Sequence, residues 1–185
     1  MEIIRVGTWI DAPVERCFLL SLSVDLHVAT ARSTQEHAST EAVRGTIGEG
    51  DTLTFKGHHF GMRGRHTTLI EKLRPHGYYR DVMISGPFQH FEHDHHFATM
   101  DDGTRMRDEI RFSAGSGLLS RLATRMFLRK RLKAFLIERN AMIKRLAESE
   151  DWHKYLERGI ESPAPAPVKS ATAKRRDGNA LLRGA

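Results

Sequence analysis

Hydrophobic and polar positions first alternate along this chain, then recur at helical spacing. Residues 3–10, Ile3-Ile4-Arg5-Val6-Gly7-Thr8-Trp9-Ile10, carry β-branched side chains in alternation and predict a strand. Asp11-Ala12-Pro13 ends it: Asp11 is a candidate cap and Pro13 fits the first turn of a helix over Val14–Ser21, with a second short helix over Val24–Ala31. A meander follows. Gly48-Glu49-Gly50-Asp51 separates a strand at 39–46 from one at 52–60, and Gly61 and Gly64 bracket the next reversal. Strands over 65–73, 78–85, 88–99 and 104–113 are parted by Arg74-Pro75-His76-Gly77, Gly86-Pro87 and Asp101-Asp102-Gly103. Such spacing implies antiparallel hairpins in one curved sheet. After Gly115-Ser116-Gly117 the period changes. Leu118, Leu119, Leu122, Met126, Leu128, Leu132, Phe135, Leu136, Met142, Ile143 and Leu146 recur every three or four residues, predicting a long amphipathic helix over 118–149.

The last hairpin fixes what its strands place inside. A turn at Asp101-Asp102 sets position i opposite position 203 − i, pairing Phe97 with Met106, Phe91 with Phe112, His93 with Ile110 and His95 with Asp108 on one face. Glu92 then meets Arg111 and His96 meets Arg107 on a solvated outer face, where Asp94 opposite Glu109 is mildly unfavourable. An unpaired carboxylate inside costs several kcal/mol or titrates to neutral, so the His95–Asp108 pair is the sharpest expectation. Three roles are open to it: a polar pair that fixes register, an anchor for the polar end of a ligand, or a general base oriented by a carboxylate. Leu53, Phe55, Gly57 and His59 share one strand face, making Phe55 and His59 candidate wall residues, while Leu122, Met126, Phe135 and Met142 on the helix face them. For the strand 78–85, the set Tyr79, Asp81, Met83 and the set Arg80, Val82, Ile84 are equally eligible to face inward.

Histidine density from His90 to His96 invites a metal reading, but only His93 and His95 share the inner face and no HExxH or paired CxxC spacing occurs, so no metal is expected. No cofactor fingerprint, phosphate loop or nucleophile motif is visible, and no cofactor is expected.

Composition refines the picture. The chain has 185 residues, 39% of them hydrophobic, and a net charge of +6, enough for one ordinary domain. The single cysteine, Cys17, lies in an apolar run and reads as buried. No secretory leader and no apolar stretch of membrane length is evident, which predicts a soluble cytoplasmic protein. From Ile160 on, Ser162-Pro163-Ala164-Pro165-Ala166-Pro167 leads into small and basic residues, so the expected domain is 1–158 and 159–185 an extended, disordered basic tail. That tail holds five basic against two acidic residues, residues 118–147 nine against one, and the remainder is net −5. The positive charge belongs to helix and tail, which with the absence of any base-reading module argues against nucleic acid. The basic helix face is a candidate for anionic membrane surfaces.

Three stretches carry a family resemblance: Asp11-Ala12-Pro13-Val14-Glu15-Arg16-Cys17-Phe18, Gly86–Phe97 and Gly103-Thr104-Arg105-Met106-Arg107-Asp108-Glu109-Ile110, together with Leu118–Lys144. With the order strand, two short helices, strands and long helix, residues 1–158 resemble the START/SRPBCC superfamily, which includes the birch-pollen allergens, lipid-transfer START domains and polyketide cyclases. The resemblance is closest to bacterial SRPBCC ligand-binding proteins. Many relatives have proline where this chain has Ala114-Gly115, so the junction before the helix is less constrained here. The resemblance implies an α+β helix-grip fold, a curved antiparallel sheet of about seven strands around the C-terminal helix with a cavity between them. On this reading Phe55, His59, Phe91, His93, His95, Phe97, Met106, Asp108, Ile110, Leu122, Met126 and Phe135 line a site for a small apolar ligand of lipid, polyketide or isoprenoid type bearing one polar group. The alternative is a cyclase or dehydratase using His95 and Asp108 as acid and base, in a monomer or dimer.

Overall fold

The computed structural model describes residues 1–33, 45–59, 62–114 and 122–156. Strand β1 (Glu2–Ile10) is followed by helices α1 (Val14–Leu22) and α2 (Val24–Ser33), then by β2 (Thr52–His59), β3 (Met62–Arg74), β4 (Tyr78–Ser85), β5 (Phe88–Met100) and β6 (Gly103–Ala114). The long helix α3 (Leu122–Ala147), a short 3-10 turn (Glu150–Trp152) and the single-turn helix α4 (His153–Leu156) follow. Among the described residues the sheet has six strands, all antiparallel, in the order β1-β6-β5-β4-β3-β2. The strand expected at 39–46 falls mostly outside the described residues, and of its end only Thr46 makes an isolated bridge, to Ser23. The expected tail lies outside them as well.

Local chemistry accounts for the joints. Pro13 itself occupies the position before α1 with no side-chain cap; Asp11 does not cap, and instead its backbone N–H donates to Glu148 Oε1 at 2.7 Å. The β5–β6 turn keeps the predicted register, with His95 opposite Asp108 and Phe91 opposite Phe112. Asp101 adopts φ 50°, and at Gly103 a Cβ would lie 2.6 Å from both the Ile10 carbonyl oxygen and the Trp9 ring, so β1 closes on the hairpin only against a glycine.

The outer face departs from a solvated set. Asp94 and Glu109 are both buried, and Arg111 spans them, 2.6 Å from Asp94 Oδ2 and hydrogen-bonded to Glu109. Arg80 meets Asp94 at 2.7 Å and Arg5 meets Glu109 at 2.6 Å. Guanidinium groups thus convert a like-charge pair into a bridged one.

Inside, the core divides into two apolar clusters. Ile10, Phe18, Leu20, Leu26, Tyr79, Phe97, Met106 and Ile143 belong to one; Ile4, Phe88, Phe91, Ile110, Phe112, Leu128, Leu132 and Leu136 belong to the other. Three elements that span both clusters change from one to the other at polar residues. On β6 Asp108 stands between Met106 and Ile110, on β5 His95 and His93 between Phe97 and Phe91, and on α3 Arg139 and Asn140 between Leu136 and Ile143. Arg139, one of the cations expected on the exposed helix face, is therefore 3% exposed. Met126 is the converse: expected to face the sheet, it is 66% exposed, because it lies two residues, about 200°, round the helix from the buried Leu128.

Candidate ligand cavity and buried polar cluster

Between β2–β6, α2 and α3 lies a cavity of about 70 Å³, walled by Leu53, Ile70, Phe55, Phe91, Ile110 and Phe135 among others. His27, His66, Asp81, His93, His95 and Arg139 give it a polar side. At roughly 10–15 Å³ per water by this measure, it holds about five waters or a compact molecule of similar bulk. The His66 ring meets Phe91 edge-on at 5.9 Å, and the Tyr79 ring stacks on His95 at 3.9 Å, so aromatic packing sets these rings' orientation.

The polar cluster is built by strand register. β4 pairs with β5 so that Tyr79 faces His95 and Asp81 faces His93, which brings Tyr79 and Asp81 inside. Asp108, fully buried on β6, accepts from Asn140 Nδ2 at 2.7 Å and from His93 Nε2 at 3.1 Å. The predicted His95–Asp108 pair is close but differently bonded. His95 Nδ1 stands 2.8 Å from Asp108 Oδ1 out of hydrogen-bonding alignment, while His95 Nε2 bonds Asp81 Oδ2 at 3.0 Å. Arg139 Nη2 donates to the Ser21 carbonyl and to the Tyr79 hydroxyl, both at 3.0 Å, and Tyr79 in turn donates to Ser21 at 3.2 Å. Ser21 sits in the last turn of α1, where a carbonyl has no helical partner and the helix presents its negative end. Arg139 Nη1 lies 3.8 Å from Asp108 Oδ1 and has no hydrogen-bond partner.

Burial and charge set protonation here. Burial alone would raise the Asp108 carboxyl, but the hydrogen bond from His93 and the close approach of His95 hold it well below the usual carboxylate range. Asp81 is likewise lowered, its burial outweighed by His95, His93 and Arg139. Burial pushes the His93 ring down, as does neighbouring His95. Tyr79 is pushed up to about 12 by burial. His27 drops to about 4 through burial and nearby Arg139, and its Nδ1 contacts the Ser23 carbonyl at 2.8 Å, leaving Nε2 as acceptor.

Of the expected wall residues, Phe55, Phe91, His93, His95, Ile110 and Phe135 line the cavity, and Asp108 stands directly behind the two histidines. Phe97 and Met106 do not: they pack with Phe18 and Ile10 in the core beyond the polar row. Met126 faces out. The side chains of His59 and Leu122 lie outside the described residues. Asp81, Arg139, Asn140, His27 and His66 were not singled out by the sequence, although the spacing Leu132, Leu136, Ile143 places 139 and 140 on the buried stripe.

No family model matches the chain, and no curated protein does. Solved structures match in shape. A START superfamily protein from Mycobacterium smegmatis is 11% identical, with TM-score 0.59, covering 78% of this chain and 98% of its own. Ara h 8.0201 is 13% identical, with TM-score 0.55, covering 77% and 97%. The di-domain ARO/CYC BexL from the BE-7585A biosynthetic pathway is 16% identical, with TM-score 0.60, covering 80% of this chain and 50% of that one. The chain has the START/SRPBCC-type helix-grip fold of these structures. No helix among the described residues is long and apolar enough to cross a membrane.

Proposed function

We propose that this chain binds a compact, mainly apolar ligand carrying one anionic oxygen, seated in the cavity with that oxygen toward Arg139. The observation that carries the reading is the Nη1 of Arg139, buried without a hydrogen-bond partner in a residue that lines an otherwise largely apolar cavity. An unmade bond on a buried cation costs several kcal/mol, and a carboxylate or enolate oxygen supplies it. The cavity is small, about 70 Å³, which favours a compact ligand over the lipid- or polyketide-sized one that the family resemblance suggests. A thermal-shift series pairing benzoate with benzamide, and larger aryl carboxylates with their amides, tests this. Stabilisation by the carboxylate of a pair and not the amide supports it; equal response, or none across the series, refutes it.

Acid–base catalysis is the second reading, favoured by the carboxylate partners that orient both cavity histidines, Asp81 at His95 and Asp108 at His93. On that reading His95→Gln abolishes turnover while ligand affinity persists. The outer side of α3 has its own reading, as a surface for anionic lipid: Met126, Phe127 and Ile137 are exposed between Arg129, Lys130, Arg131 and Lys133, an apolar ridge flanked by cations.

A further inference from the structure

The two cavity histidines are packed between two carboxylates. Each ring nitrogen of His93 and His95 faces a carboxylate oxygen: His93 Nε2 and His95 Nδ1 face Asp108 Oδ1 at 3.1 and 2.8 Å, and His93 Nδ1 and His95 Nε2 face Asp81 Oδ2 at 3.6 and 3.0 Å. Two neutral imidazoles carry two N–H groups, and the bonds from His93 Nε2 to Asp108 and from His95 Nε2 to Asp81 use both. The two Nδ1 atoms then keep their lone pairs close to carboxylate oxygens, His93 Nδ1 3.6 Å from Asp81 Oδ2 and His95 Nδ1 2.8 Å from Asp108 Oδ1. The charge count has the same sense. With neutral rings the buried cluster holds Asp81 and Asp108 against Arg139 alone, one negative charge in excess.

We infer that Asp81, His93 and His95 form a binding site for one divalent transition-metal ion of the zinc or iron(II) class, with Asp108 as the outer carboxylate that orients the His93 ring. One ligand atom from each of the three residues lies within 4.8 Å of the other two. The 3.0 and 3.6 Å separations from Asp81 Oδ2 bracket the ligand–ligand spacing of about 3.3 Å that a tetrahedral ion with bonds of about 2.0–2.1 Å requires. Two imidazoles and a carboxylate suit such ions. The outer shell is already in place. His93 donates Nε2–H to Asp108, the carboxylate–histidine–metal arrangement that fixes a tautomer and turns the other nitrogen's lone pair toward the ion. Asn140 holds the second oxygen of Asp108 at 2.7 Å. Because Asp81, His93 and His95 all line the cavity, a coordination position is left facing it, as in catalytic rather than structural sites. The bound ion turns the net charge of the cluster from −1 to +1, complementary to an anion in the cavity. The inference stands on the cluster alone and holds whether or not the ligand reading above is correct.

The test uses the full chain, stripped with chelator, equilibrated with zinc or cobalt(II) chloride and gel-filtered. We expect one zinc per chain by elemental analysis, a zinc-dependent rise in melting temperature, and cobalt(II) visible bands of nitrogen–oxygen ligation. Asp81→Asn and His95→Gln remove retention, Asp108→Asn weakens it roughly ten- to a hundredfold, and His90→Gln and His96→Gln leave it unchanged. The cobalt spectrum of the wild-type chain needs no variant, so a misfolded substitution does not shield the inference. No retained metal and no cobalt bands, or retention unchanged in His95→Gln, overturns it.

Discussion

Removing the guanidinium of Arg139 is the most informative single perturbation. Arg139→Met keeps most of the aliphatic stem and deletes two hydrogen bonds, to the Ser21 carbonyl and the Tyr79 hydroxyl, each at 3.0 Å. Bonds from a charged donor contribute about 1.5–3 kcal/mol each. It also removes the cation 3.8 Å from Asp108, leaving Asp81 and Asp108 without a buried counter-charge. Breaking one side of a buried ion pair costs about 3–5 kcal/mol, so the expected loss is roughly 4 kcal/mol. Urea denaturation at pH 7, followed by tryptophan fluorescence and far-ultraviolet dichroism, reads it directly. Asp108→Asn alone is also destabilising, since it weakens the acceptor for His93 and Asn140. The double substitution should lose less than the sum of the two, because the uncompensated charge disappears with Asp108. A loss below about 1 kcal/mol for Arg139→Met, or strict additivity in the cycle, would refute the view that this cation offsets the negative charge of Asp108.

Other consequences follow from the same geometry. His27 is neutral in the folded chain down to about pH 4, against the ordinary imidazole value of 6.5 when unfolded; the charged and titratable groups facing it are Arg139, Asp81 and His95. Its contribution is full above pH 6.5 and is lost as pH falls toward 4, roughly 2 kcal/mol by pH 5, and a pH series of urea midpoints should show that part of the slope vanish in His27→Gln. Asp94→Asn cuts contacts with Tyr78, Arg80 and Arg111 and, with those arginines partly solvated, should lower stability by about 1–3 kcal/mol in the same assay. Replacing Met126, Phe127 and Ile137 together by serine should abolish co-sedimentation with vesicles containing phosphatidylserine without changing the melting temperature; binding indifferent to lipid charge in the parent chain would dismiss the membrane reading.

How much was legible in the sequence depended on how local the determinant was. The β5–β6 register follows from a two-residue turn and the period of two, and every pair from Phe91–Phe112 to Phe97–Met106 holds. The β4–β5 register has no such anchor. Gly86-Pro87 admits more than one loop length, and a one-residue slip exchanges Asp81 for Val82 opposite His93; Asp81 therefore became visible only once the strands were paired. On α3, eight cations among 26 residues make Arg139 resemble one more solvated charge, although its spacing from Leu132 and Leu136 puts it on the core side. Met126 is the converse case: its apolar character points inward, but its angle round the helix, about 200° from Leu128, sets it outside. Asn140 joins the cluster across 32 residues through one hydrogen bond to Asp108, which no local pattern announces.

The central claim, a cavity that takes a compact apolar anion, is tested most directly by nuclear Overhauser contacts between bound benzoate and the protein. The account predicts contacts from the ligand ring to Phe91, Ile110 and Phe135, and their loss in Arg139→Met. Contacts confined to the exposed face of α3, or none at saturating benzoate, would contradict it.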